Sequence, residues 1–404
     1  MGKINSQTMK ENNIRLLLNT VRKQGPMARS TLARELGLTS PAVTNICSQL
    51  LGQKVLLELG CSDTPHGRKP ILLDLNPAAC YALGLVMTTE AVTAVVTDYR
   101  ARILCRKQVS ITPMLGKNLI LRTLISCAKD CTAESGIDTG KLLGLGIAAP
   151  GPLDVQTGTL INPPNFSDWD HVPLCELLSD ALGIPAVLDK ETNAAALAEY
   201  YFGDTKDAKT SFYLSLFQNS IGGSVMLDGK ILHGFEDGAG EIGHMQVDPN
   251  GPKCSCGHYG CLESTSCGTA LLKQARSRLR SLGALQEELP CTADSVTLED
   301  IFRLGDEHFP LFEELVDSAA RMIAAAVGNV ATILSPALVT IGGTLPGLSP
   351  SLVDRIRAYV HQRPYPDSMK RIRIEPSALG ADGCAIGAAM LALDTFQTRL
   401  CEEK

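Results

Sequence analysis

Near the start of the chain the apolar positions Ile14, Leu17, Leu18 and Val21 follow the i, i+3, i+4, i+7 spacing of one helix face, and Gly25-Pro26 stops the run. Ser30 can cap a second, short helix with Leu32, Ala33 and Leu36 inward, closed by Gly37 in the left-handed region. Ser40-Pro41 opens a third helix with Val43, Ile46 and Leu50 inward. Two short helices joined through Gly37-Leu38-Thr39 predict a helix-turn-helix, whose second helix enters a major groove. Ser40, Ala42, Thr44, Asn45 and Ser48 then face outward, small or hydrogen-bonding side chains suited to base edges and phosphates. Val55–Glu58, then Gly60–Arg68 and Pro70–Leu75, read as two strands around a polar loop, and that loop, with His66, Arg68 and Lys69, is a candidate wing. The alternative is a three-helix packing or dimerisation module without DNA contact.

After Asn76-Pro77 strands and helices alternate. Tyr81–Met87, Ala91–Asp98 and Arg102–Ser110 predict three successive strands, Leu119–Cys131 a helix and Leu142–Ile147 a further strand. A second cycle places strands at Pro185–Asp189, Thr210–Leu216, Ser224–Leu227 and Ala337–Ile341, the last followed by Gly342-Gly343. Two α/β lobes with a cleft between them are implied.

Composition sharpens this division. At 404 residues the chain exceeds what one core organises, so two or three folded units are expected. Apolar residues make up 45% and aromatics 4%, the balance of an α/β protein built on Ala, Leu, Val and Ile rather than of a disordered chain. The net charge of −6 hides an asymmetry: residues 1–80 hold ten Lys/Arg against five Asp/Glu, while the remainder holds 27 against 38. A basic front end on an acidic body suits an appended nucleic-acid module. No stretch reaches the roughly 20 uncharged apolar residues of a membrane span, and Met1–Asn13 lacks the apolar core of a secretory signal, so a cytoplasmic protein without a membrane partner is expected.

In a reducing compartment a tight cysteine group reads as a metal site, and the scattered remainder of the fourteen cysteines as small buried apolar residues. Cys254, Cys256 and Cys261 share a Gly-punctuated loop, and His244 lies ten residues upstream of it. A Cys₃His set is a closed tetrahedral shell for structural Zn2+, with no position left for a water. His258 is an alternative fourth ligand.

The runs Gly144-Leu145-Gly146-Ile147-Ala148-Ala149-Pro150-Gly151-Pro152-Leu153-Asp154, Asn193-Ala194-Ala195-Ala196, Ala239-Gly240-Glu241-Ile242-Gly243-His244 and Cys254-Ser255-Cys256-Gly257-His258-Tyr259-Gly260-Cys261-Leu262-Glu263 resemble the ROK family of repressors and sugar kinases. The resemblance extends from the N-terminal helices to Gly387-Ala388-Ala389. It implies an α/β fold: an N-terminal winged helix-turn-helix (1–78) joined to a two-lobed actin-like (ribonuclease H-like) sugar-kinase fold. The first lobe would span 79–190, the second, with the zinc loop, 191–380, and a C-terminal helix, 381–404, would pack back on the first. By the same resemblance Glu241, His244 and Glu263 bind sugar, with Asn165 in the Pro163-Pro164-Asn165 loop as a further contact, and the protein is a homodimer or homotetramer.

A kinase of this family needs a first-strand phosphate loop of the form Asp-x-Gly-Gly-Thr. The corresponding stretch here is Gly84-Leu85-Val86-Met87-Thr88-Thr89-Glu90, with valine in place of the carboxylate, threonines in place of glycines, and Glu90 opposing a triphosphate. The second phosphate segment, Gln218-Asn219-Ser220-Ile221-Gly222-Gly223-Ser224, keeps the turn and loses two glycines. In Asp189-Lys190-Glu191-Thr192-Asn193-Ala194-Ala195, Glu191 takes the position of the catalytic aspartate and Lys190 that of a sugar-contacting asparagine. Lys190 could favour a phosphorylated or acidic sugar, or could pair with Asp189 or Glu191. The expectation is a sugar-responsive repressor of an inverted-repeat, double-stranded DNA operator, with a sugar or sugar phosphate as effector and no enzyme activity. An active sugar kinase with an accessory DNA-binding head is the alternative.

Overall fold

The computed structural model describes residues 6–61, 70–164, 166, 168–282 and 290–401. They fall into two compact units, one within Met1–Ala194 and Cys384–Lys404, the other within Ala195–Gly383.

Unit 1 opens with helix α1 (Ser6–Gln24), which buries Ile14, Leu17, Leu18 and Val21 and ends where Gly25 turns at φ +84°. A two-residue strand, β1 (Met27–Ala28), leads straight into α2 (Arg29–Leu36). Ser30 is therefore not the cap. The chain enters from the β1 ladder, where Ala28 is held extended opposite Leu72, and the cap position carries no side-chain bond. Gly37 closes α2 at φ +63°, and the Thr39 hydroxyl accepts from Ala42 N–H to cap α3 (Ser40–Gly52), so Ser40 is the first helical residue and Pro41 the second. Strands β2 (Leu56–Cys61) and β3 (Ile71–Leu75) complete an antiparallel sheet of order β1-β3-β2.

A five-stranded sheet follows. Strands β4 (Tyr81–Met87), β5 (Ala91–Asp98) and β6 (Ile103–Ser110) form an antiparallel meander. After α4 (Lys117–Glu134), β7 (Leu142–Ala149) pairs parallel to β4; the short ribbon β8 (Leu153–Asp154) and β9 (Thr159–Leu160) and helix α5 (Leu174–Leu182) precede β10 (Ala186–Lys190), parallel to β7. Helix α6 (Glu191–Phe202) carries the chain across the unit boundary.

Unit 2 repeats the topology. Strands β11 (Thr210–Leu216), β12 (Ile221–Leu227) and β13 (Lys230–Ile231) are antiparallel, while β14 (Leu338–Gly343) and β15 (Arg373–Pro376) add in parallel, giving the order β13-β12-β11-β14-β15. Short α7 (Leu262–Ser266), α8 (Gly268–Ser281), α9 (Leu298–Asp306), the long α10 (Pro310–Leu334), α11 (Leu345–Leu348) and α12 (Pro350–His361) complete it. Phe212, Leu214, Val339, Ile341 and Ile374 of the sheet share one core with Phe302 and Phe312. Strand β12 starts three residues before its sequence-based limit. Gly222 and Gly223, read as a phosphate turn, are ladder residues opposite Ser215 and Leu214. The glycine at 223 is required because Phe212 and the Gly240 backbone press on its face.

The chain then returns to unit 1 as α13 (Gly383–Phe396). In β4 and β7 the residues alternate between two buried faces. Leu83, Leu85, Met87, Leu145, Ile147 and Ala149 point into a core with Leu124, Phe166 and Trp169. On the other face Gly84, Gly144 and Gly146 meet α13 so closely that a Cβ on Gly146 would overlap the carbonyl oxygen of Ala388. Gly146→Ala should cost about 2–3 kcal/mol by overpacking against backbone that cannot rotate away. Gly52→Ala, with open space around its Cβ position, should be neutral. Calorimetric unfolding checks both, and equal melting temperatures would show that α13 is not seated on these glycines.

Candidate functional site

The best-defined chemistry lies in unit 2, where His244, Cys254, Cys256 and Cys261 bring one ligand atom each to within 4.8 Å of the others. Glycines make this approach possible. A Cβ on Gly240 or Gly243 would overlap the backbone of Gly223 or Ile221, so the segment carrying His244 lies flat against β12 only because both are glycine. The loop beyond doubles back on itself: Cys254 N–H donates to His258 O at 2.7 Å, Gly260 N–H to Pro252 O at 2.8 Å and Val247 N–H to Gly260 O at 2.8 Å. Gly257 and Gly260 take φ of +93° and +68°, and a side chain at Gly260 would collide with Asp248 O.

The spacing fits a tetrahedral ion. Cys256 Sγ and Cys261 Sγ are 3.6 Å apart, as are Cys254 Sγ and His244 Nδ1; ligands about 2.3 Å (S) and 2.0–2.1 Å (N) from one metal stand about 3.6–3.8 Å apart. His258, the alternative ligand, is exposed and outside the cluster. The backbone N–H of His258 lowers the Cys256 pKa, whereas burial pushes Cys261 up to about 12. A bound dication would hold both as thiolates.

Two carboxylates flank the cluster. Glu241 is exposed just before the His244 turn. Glu263, in the first turn of α7, is half-buried; its Oε2 accepts Ile221 N–H at 3.2 Å, and burial raises its pKa, opposed by that N–H and by His244. With Nδ1 toward the thiols, a metal there would leave the His244 proton on Nε2.

In unit 1, Asp189 accepts from Asn193 Nδ2 and from Lys190 N–H, both at 2.7 Å. Lys190 is buried and engaged with its neighbours, Glu191 is half-buried at the start of α6, and Asn165 lies outside the described residues. The turn after β4 closes on itself: Thr88 Oγ1 accepts from Glu90 N–H at 3.2 Å and from Ala91 N–H at 3.0 Å. Those amides are therefore occupied by a side chain. In unit 2 the first amides of α8, at Gly268 and Thr269, donate to Phe217 O and Gln218 O at 3.3 and 2.7 Å.

On α3, Val43, Ile46 and Leu50 are buried, as is Cys47. Ser40, Thr44, Asn45 and Ser48 are exposed and Ala42 half-exposed, on one continuous face. The Thr44 hydroxyl donates to Ser40 O at 2.8 Å. His66, Arg68 and Lys69 lie outside the described residues. Sequence reasoning missed a buried polar group joining α1 to the C-terminal segment, Arg22 with Tyr99 and Gln397. Its members are up to 375 residues apart and carry no local signal.

The sequence profile of the ROK family matches residues 82–395. The xylose repressor of Bacillus spizizenii is 26% identical over 392 residues, covering 96% of each chain. The glucokinase of Thermotoga maritima is 32% identical over 252 residues, which are 61% of this chain and 78% of that one. Among solved structures, a ROK family transcriptional regulator, homologous to the E. coli MLC protein, superposes with a TM-score of 0.81 at 23% identity, covering 97% of this chain and 98% of its own.

The purified chain should carry about one metal ion, because a closed four-ligand shell binds tightly and couples to folding. Cys261→Ser should lose that metal and melt at lower temperature, while Cys127→Ser, a buried thiol outside the cluster, should keep it. Elemental analysis decides, and equal metal content in the two variants would refute the site.

Proposed function

Because the chain belongs to the ROK family, we propose that it is a sugar-responsive transcriptional repressor, whose kinase-like units sense a sugar and whose first three helices read DNA. One observation carries this most directly. Similarity to a named repressor runs over 96% of both chains, the N-terminal helices included, whereas that to the glucokinase stops at 61% of this one. The higher identity of the glucokinase match supports a common sugar-binding body. It does not bring the head with it.

The N-terminal three helices and small sheet serve as a winged helix-turn-helix, with Ser40, Ala42, Thr44, Asn45 and Ser48 toward the groove and His66, Arg68 and Lys69 on the wing. A two-fold dimer, or a tetramer built from such dimers, matches an inverted-repeat operator with half-sites one helical turn or a multiple apart. A DNA partner puts the working compartment in the cytosol, and no helix among the described residues is long and apolar enough to cross a membrane.

Zn2+ suits the Cys₃His set because thiolates favour it over hard cations and the closed shell leaves no water to activate. Its role is structural. It fixes His244 with Nε2–H as a donor, and Glu241 and Glu263 beside it accept bonds from neighbouring hydroxyls. Unit 1 offers candidates of its own, Lys190, Glu191 and Asn165. Phosphoryl transfer is not expected: the amides after β4 are taken up by Thr88, and Glu90 stands exposed at that turn. Sugar binding lowers operator affinity by favouring the state that reads DNA less well.

Fluorescence anisotropy with a duplex selected by the protein from a random library tests this, with D-xylose as first probe and other pentoses, hexoses and their phosphates after it. One sugar should weaken binding roughly 5–150-fold, the range of ordinary allosteric coupling, without ADP formation in a coupled assay. Glu241→Ala should abolish the sugar response and leave DNA affinity unchanged. Sugar-dependent ADP release would favour the kinase reading.

A further inference from the structure

The buried polar group of unit 1 has a shape that ordinary core packing does not require. Arg22, on α1, is 8% exposed, and Tyr99 and Gln397 are fully buried. The Arg22 guanidinium donates to Asn19 Oδ1 at 2.8 Å, to Tyr99 O at 3.4 Å and to Gln397 Oε1 at 3.3 Å, and lies 4.9 Å over the Tyr99 ring. Tyr99 Oη donates to the same Gln397 Oε1 at 3.2 Å; burial raises the Tyr99 pKa, so the phenol keeps the proton this bond needs. Gln397 Nε2 donates to Asn19 Oδ1 at 2.8 Å, and Asn19 Nδ2 to Asp394 Oδ1 at 2.6 Å. One turn on, Gln49 of α3 donates to Cys401 O at 3.3 Å.

The bonds to Asp394, Gln397 and Cys401 connect α1 and α3 to a single element. Asp394, Gln397 and Cys401 lie at the end of α13 and its short 3-10 extension (Gln397–Cys401), whose other end is the point where the chain passes from unit 2 into unit 1. Between those ends α13 lies on Gly84, Gly144 and Gly146 without room to rock. Taking a guanidinium out of water is costly, and a planar fork sharing its donors among three fixed acceptors holds direction better than an apolar contact.

Resting on the reading of α1 to α3 as a DNA-binding head, we propose that Arg22 is a positioning residue for DNA recognition: gripping Gln397, it fixes the head on the C-terminal helix. The head therefore has one orientation on unit 1 and follows α13 instead of swinging on a tether. Two heads in a symmetric assembly are then held at a set separation, which a two-half-site duplex reads and a single half-site does not.

The test uses the full chain with Arg22→Met, which keeps the bulk and removes the fork, Gln397→Leu, and Arg22→Lys as the conservative variant. Binding is measured to two-half-site and single-half-site duplexes selected by the unsubstituted protein, with hydrogen exchange of the same samples. Arg22→Met and Gln397→Leu should weaken two-half-site binding about tenfold or more by losing preorganisation, with single-half-site binding within about twofold. Amides of α1 and α3 should exchange about tenfold faster while β4 and β7 are unchanged, as for a local opening. Arg22→Lys, which keeps a cation over Tyr99 but not the planar fork, should recover only part of both effects. Equal loss on both duplexes, as a stability role alone would give, or two-half-site binding by Arg22→Met within about twofold of the unsubstituted chain, would overturn the proposal. If the unsubstituted protein binds no duplex, the DNA reading fails; the exchange data then judge the clasp alone, and unchanged α1 and α3 protection in Arg22→Met overturns it.

Discussion

Most of what distinguishes the second unit depends on four ligand atoms meeting within 4.8 Å. The loop that supplies three of them has little else to hold it. Ser255, Cys256, Gly257, His258 and Tyr259 are exposed, so apolar burial contributes almost nothing there, and a few backbone bonds among glycines cannot offset the entropy of ordering it. A metal ion held by the four ligands would convert that weak turn into a fixed one. It would lock the ring orientation of His244 and the start of α7 after Cys261, and with α7 the place of Glu263, whose carboxylate receives the first amide of β12. The two acids and the imidazole thus sit beside a cluster that coordination would fix, on a segment that Gly240 and Gly243 seat against β12.

Both units carry a sheet of the same order, three antiparallel strands followed by two parallel ones. In a phosphoryl-transfer enzyme the turns after the first strands must offer free amides to phosphate. Here the first turn is sealed by the Thr88 hydroxyl, and the amides of Gly268 and Thr269 are bonded to the strand end before them. Glu241 and Glu263, beside the Cys₃His cluster, are kept. Loss of the one set with retention of the other is what would convert a site that transforms a sugar into one that reports it.

What the sequence disclosed was local. The strands read at Tyr81–Met87 and Ala91–Asp98 have the observed limits of β4 and β5, the 3.6-residue spacing placed the buried face of α1, and cysteine spacing singled out Cys254, Cys256 and Cys261, which the fold brings together with His244. Errors arose where tertiary pairing overrides local preference. Ser30 was expected to cap α2, but the pairing of β1 with β3 sets the start of that helix two residues earlier, with Ala28 at the cap. Gly222-Gly223 resembled a loop and is a strand, because the demand for glycine comes from Phe212 and Gly240 across the ladder. The Arg22–Gln397 group was invisible, since a chain read in windows does not bring α1 to its own far end. His66, Arg68, Lys69 and Asn165 fall outside the described residues.

A metal-fixed loop that presents Glu241, His244 and Glu263 to a sugar should bind that sugar only with the metal in place. Isothermal titration of neutral pentoses and hexoses into the metal-loaded chain, the chelated chain and the chain reloaded with zinc addresses it directly. Saturable binding of one sugar in the first and third samples, absent from the second, is the expected result. Binding of equal affinity by the chelated chain would contradict it.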